Sequence, residues 1–139
     1  MRSKLLTASA AIVLTLAVGE GTAFAGGALD PQTAIFVERI ANQDLPEIAD
    51  SAKANDGSGL ARACHTLVRD AGFVLDADRP TGYPRAAWSH LIKSMHLFTT
   101  AGKVCQQAVA KNSRSLVQRF TTALTQGGDE FKKANLANQ

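Results

Sequence analysis

The sequence predicts an all-α protein: an antiparallel four-helix bundle with one disulfide, preceded by a secretory signal peptide. Three observations predict it. Apolar residues recur at three- and four-residue steps in four successive segments, no segment alternates as a half-buried strand does, and the chain has just two cysteines, both on apolar stripes.

The amino terminus reads as an export signal over residues 1–25. Arg2 and Lys4 give a basic start, "LLTASAAIVLTLAV" is the apolar run, and "AFA" at residues 23–25 is an A-x-A cleavage motif. The apolar run is shorter than the roughly 20 residues a membrane span requires, and Glu20 follows it closely, so no span is expected in the mature form. Residues 26–139 then form one domain of 114 residues, enough for a single modest core.

The first helix opens with Asp30 as cap and Pro31 in the first turn, then runs through Ile35, Val37, Ile40 and Ala41 toward Ile48 and Ala52. Pro46 lacks the amide that a helix interior needs, so it is expected to kink this helix or split it in two. The second helix carries Leu60, Cys64, Leu67, Ala71 and Val74 on one stripe, with Asp56 or Ser58 as its cap. Two prolines and a glycine in "VLDADRPTGYP" forbid helix over residues 74–84. The third helix, residues 84–111, places Trp88, Leu91, Met95, Phe98, Gly102, Cys105 and Val109 in a heptad-like seam, opposite a polar face of Ser89, Lys93, His96, Thr100, Lys103 and Gln107. The fourth starts at Ser113 and sets Val117, Phe120, Leu124, Gly127, Phe131 and Ala134 inward. Its Gly127–Gly128 pair predicts a kink or break, since each glycine costs up to about 1 kcal/mol in a helix interior.

Cys64 and His65 are adjacent, but neighbours on a helix point about 100° apart, so they do not converge as a nucleophile and its base must. Cys64 belongs to the apolar stripe; His65 lies in a polar row with Arg62 and Arg69. A c-type haem attachment needs C-x-x-C-H, and only its last two residues are present. An exported chain whose two cysteines both face a core oxidises them, which pairs Cys64 with Cys105. With that bond formed, the connection between helices two and three has to climb about 15 Å along helix three, since Cys105 lies farther from the connection than Cys64 does. It is expected to do so without a tight turn.

The order "CHTLVRDA", a proline-containing linker, "WSHL", "CQQAV" and a last helix with glycine before acidic "DEF" resembles small exported actinomycete proteins with a cysteine, leucine, aspartate, tryptophan, cysteine, alanine pattern. The match spans roughly residues 60–135. That resemblance implies a helical fold and a staple, and it carries no active site.

Chemistry finds little footing. No two histidines stand at i, i+4 on one face, and neither H-E-x-x-H nor C-x-x-C occurs, so a metal site lacks its ligands. Asp76 and Asp78 begin like a calcium loop, but Pro80 and the missing glutamate break the pattern. No serine has G-x-S-x-G around it, and no glycine-rich phosphate cradle appears. The expectation is a non-enzyme without cofactor, leaving only a hydrolase with a scattered site as an unpatterned third option.

Charge is the remaining signal. Loss of the signal removes Arg2, Lys4 and Glu20, leaving 13 basic and 11 acidic residues, too even a balance to argue for nucleic acid. Its distribution is uneven: residues 30–78 hold nine acids and four bases, residues 79–119 seven bases and no acid. Either the two halves pack and their fields cancel, or the acid-free stretch is a face for an anionic partner, centred on Arg85, Lys93, Lys103 and Lys111. The expected function is a secreted interaction module at the cell envelope or outside the cell, binding a protein or an anionic envelope component. The alternative is a carrier whose core opens for haem or a small apolar ligand through Tyr83, His90, Met95 and Phe98.

Overall fold

The structure is a computed structural model that describes residues 28–139; the signal and cleavage site expected over residues 1–25 lie outside the described residues. The first helical run comprises α1 (Pro31–Arg39), a π-helical turn (Ile40–Asp44) and α2 (Leu45–Lys53). It is followed by α3 (Gly57–Leu75), α4 (Arg85–Lys111) and α5 (Arg114–Ala137).

Asp30 caps α1, its carboxylate accepting from the amides of Gln32 at 3.1 Å and Thr33 at 3.0 Å, with Pro31 in the first turn. Pro46 neither splits the run nor ends it. The missing amide leaves a gap in the ladder, and the chain widens one turn ahead of it: the Leu45 amide donates to the Ile40 carbonyl five residues back. Asn55, at a left-handed φ of 54°, ends α2. Asp56 then caps α3 through the Gly59 amide at 2.9 Å.

The first run, α3, α4 and α5 pack in chain order, each antiparallel to the next, as the contacts Phe36–Phe73 and Arg39–Asp70, Gly57–Val109 and Cys64–Cys105, and His90–Glu130 and Ser94–Gly127 require. α1 and α2 lie on α3, α3 on α4, and α4 on α5, while no other pair of helices brings its backbones comparably close. Asn112, at φ 50°, and the cap Ser113 are the whole connection between α4 and α5, which forces those two into a hairpin.

α4 therefore has neighbours on two sides, and its buried arc is wider than a single heptad seam. Ala87, Leu91, Ser94, Met95, Phe98, Ala101, Gly102, Val104, Cys105 and Ala108 are buried. Trp88 and Val109, expected at the centre of the seam, sit half-buried on its flank, because the stripe rotates toward the side where α5 lies. Ile35, expected inside, is 53% exposed; Thr33 and Val37 take the inward positions of α1.

The Gly127–Gly128 pair makes no break in α5. A β-carbon at Gly127 would stand 2.7 Å from the Phe98 ring, so its absence is what lets α4 and α5 approach there. Ser94 fixes the contact by donating to the Gly127 carbonyl at 2.8 Å. Phe98 meets Phe131 just beyond, with ring centroids 6.3 Å apart.

The Cys64–Cys105 disulfide is formed, with α-carbons 6.3 Å apart and both residues fully buried. One turn from it, a β-carbon at Gly102 would stand 2.8 Å from the Cys64 carbonyl oxygen, so α3 and α4 nearly touch where they are stapled. The linker between them does contain a tight turn, contrary to expectation: the Tyr83 amide donates to the Pro80 carbonyl at 3.1 Å, with Gly82 at φ 87°. The turn delivers Tyr83 into the core, edge-on to Trp88 at 5.9 Å between centroids.

Candidate functional site

Arg85, Lys93, Lys103 and Lys111 all project from the solvent side of α4. Together with Ser89, His96, Thr100 and Gln107, which are also exposed, they advance by threes and fours and so form one straight stripe. From Arg85 to Lys111 the stripe measures roughly 39 Å at a rise of 1.5 Å per residue. The cations are spaced by roughly 12–15 Å, more than the Debye length of about 8 Å at physiological salt, so each acts nearly alone.

No close ion pair ties this stripe to the acidic half. Among the described residues the ion pairs are Arg39–Asp70, Arg69–Asp70, Lys133–Glu130 and His90–Glu130. None of them joins a base of residues 79–119 to an acid of residues 30–78. The four stripe cations make no ion pair within the described chain and keep their charge for solvent or a partner.

A second charged constellation was not visible in the sequence. Asp44, turned inward by the π-helical turn, and Asp70 on α3 are 1% and 0% exposed. Burial pushes the Asp44 carboxyl up to about 8, and a hydrogen bond to Asp70 together with the Asp70 charge adds to the shift. Asp44 thus stays protonated at neutral pH. Two guanidiniums approach Asp70: Arg39 Nη1 at 3.7 Å and Arg69 Nε at 3.3 Å from the same Asp70 Oδ1. The available signal was phase: Asp70 falls three residues after Leu67, and Asp44 lies midway between Ile40 and Ile48 on an apolar stripe.

His90 and Glu130 pair across the α4–α5 hairpin at 2.5 Å, and this hydrogen bond, assisted by Lys133, holds the Glu130 carboxyl below its ordinary range. The proposed carrier residues are otherwise engaged: Tyr83, Met95 and Phe98 are buried in the core, and His90 faces Glu130. A groove of about 560 Å³ lies elsewhere, between the start of α1 and the α3–α4 linker, lined by Asp30, Phe36, Phe73, Asp76, Asp78 and Arg79 among others.

Cys64 is buried and His65 exposed, so the two diverge as the helical phase requires. Among the described residues no cluster of three or more His, Cys, Asp or Glu could hold a metal, and no helix is long and apolar enough to cross a membrane. The chain matches no family model, no curated protein and no solved structure.

Proposed function

We propose that the protein is an exported, non-catalytic interaction module whose α4 stripe binds an extended anionic partner at the cell envelope. The observation that carries this reading is the set of four unpaired, collinear cations on an acid-free helix. A straight helix with widely spaced charges suits a long partner bearing many negative groups, because each contact contributes little and affinity has to accumulate along the length. The expected signal over residues 1–25, the buried disulfide and the resemblance to exported helical proteins support an oxidising location outside the cytoplasm.

Binding of the purified protein to immobilised dextran sulfate and to phosphatidylglycerol vesicles, followed against salt, tests the proposal. Affinity is expected to fall steeply with salt and to collapse when Arg85, Lys93, Lys103 and Lys111 are all replaced by glutamine, with the thermal midpoint unchanged. Equal binding by the quadruple variant would place the anionic contact elsewhere and overturn the assignment.

A further inference from the structure

The first helical run is fastened to the rest of the molecule along one seam. Its backbone packs closely on α3 and on no other helix, whereas α3 is stapled to α4 by the disulfide and α4 turns directly into α5. At the seam Asp44, the last residue of the π-helical turn, meets Asp70 of α3. Both side chains are enclosed, the two carboxyls hydrogen-bond to each other, and the Oδ2 atom of each meets no other donor. A carboxylate only accepts, so this bond exists only while one of the pair carries a proton. Two ionised carboxylates enclosed together would repel across the seam.

The charged groups that bear on Asp44 come from both sides of the seam. Asp70 repels its ionised form from α3; within its own run Glu47 adds to the repulsion and Arg39 relieves it. Arg39 and Arg69 both approach Asp70 at Oδ1, and among the described residues neither makes an ion pair with Asp44. The guanidiniums therefore do not take the place of the proton. The backbone is weak at the same point, because Pro46 has no amide and the Leu45 amide reaches back five residues to the Ile40 carbonyl.

We infer that the proton shared by Asp44 and Asp70 is a latch: while it is bound the first helical run stays on α3, and its loss favours local opening of that run from an α3–α4–α5 core that remains assembled. In the opened form Asp44 meets water and titrates near 3.8, whereas in the closed form it holds its proton to about 8. Closing therefore takes up a proton between these values, so the opening constant rises by up to about tenfold per pH unit there and levels off above. The run buries Val37, Ile40, Leu45 and Ile48, which keeps the opened form a minor population, and the proton sets how minor. The molecule is closed most firmly in acid and loosens toward neutral pH. The α4 stripe takes no part in this, so the latch stands or falls separately from the proposed binding.

Native-state hydrogen exchange on the purified protein, read as protection factors between pH 5 and pH 7.5, tests the latch. The amides of Ile40, Ile48 and Ala52 are expected to be at least about tenfold less protected than those of Leu91, Phe98 and Phe131 at each pH, which marks the opening as local. Their protection should fall by about thirtyfold or more across the range. Asp44→Asn, which keeps a donor toward Asp70 without titrating, should flatten that fall while the gap between the run and the core remains. If this variant does not fold, carbon-13 NMR of the aspartate carboxyls in the wild type decides instead, with Asp44 expected to be still protonated at pH 6. Equal protection in the first run and in α4 and α5, protection unchanged between pH 5 and pH 7.5, a fall that persists in folded Asp44→Asn, or an Asp44 carboxyl ionised at pH 6 would overturn the inference.

Discussion

Asp44 is a carboxylic acid kept neutral by its surroundings, and the sign of its effect on stability follows from that. In the unfolded chain it titrates near 3.8, whereas in the folded protein it holds its proton to about 8. Between those values the folded state binds the extra proton, so stability falls as pH rises through the window and levels off above it. Asp30 and Glu130, whose carboxyls are held low by hydrogen bonds, work in the opposite direction, and only at the acid edge. The urea midpoint is therefore expected to decline from pH 5 to pH 8. Asp44→Asn keeps a donor toward Asp70 without titrating, and a slope that survives it would trace the effect to other groups. The burial of α4 makes a second forecast at this scale. Leu91→Ala should cost about 2–5 kcal/mol, as for a fully enclosed leucine. Trp88→Ala, on the half-buried flank, should cost only about 1–2 kcal/mol despite the larger side chain. Chemical denaturation of the two variants reads the difference, and a larger loss for Trp88 would restore it to the centre of the seam.

At the level of single helices, two glycines of the same chemistry should respond oppositely to alanine. Nothing lies within 4 Å of a β-carbon built on Gly72 in α3, so Gly72→Ala should stabilise by about 0.5–1 kcal/mol through helix propensity. At Gly127 the added carbon would press on the Phe98 ring at 2.7 Å, and that ring is itself enclosed. Overpacking there should outweigh the propensity gain and destabilise by about 1–3 kcal/mol, visible as a lowered thermal midpoint. The π-helical turn is the corresponding feature of the first run. Pro46 removes one amide from the ladder, and the widened turn ahead of it both carries the chain past the ring and points Asp44 at Asp70.

Across the whole molecule, the disulfide closes a loop of 41 residues and joins the two middle helices of the array. In the chain-entropy account such a loop is worth about 4 kcal/mol, a large share of the total stability of a small domain. Replacing Cys64 and Cys105 by alanine should lower the unfolding free energy by about 2–5 kcal/mol, measured by urea titration of the oxidised wild type beside the double variant. A loss below 1 kcal/mol would mean that the close approach at Gly102 already fixes the α3–α4 pair without a covalent bond. The molecule also keeps its two signs of charge apart. Acids and bases meet within the α1–α3 face, while the α4 stripe stays unpaired.

The sequence by itself determined the helical content, the caps at Asp30 and Ser113, and the pairing of Cys64 with Cys105, and it left the cap of the second helix open between Asp56 and Ser58. Each of these rests on chemistry within a few residues or on there being just one other cysteine. It also placed Arg85, Lys93, Lys103 and Lys111 on a polar face, because a helix of 27 residues fixes its own phase. Only the tertiary structure decided which stripe of α4 lies at the centre, since that depends on having α3 on one side and α5 on the other. It alone turned Gly127 from an expected break into a point of contact, because a missing β-carbon weakens an isolated helix but admits a neighbouring ring. The Asp44–Asp70 pair was hidden for a related reason: two carboxyls 26 residues apart in sequence reveal nothing until a widened turn and an antiparallel neighbour bring them to one buried point.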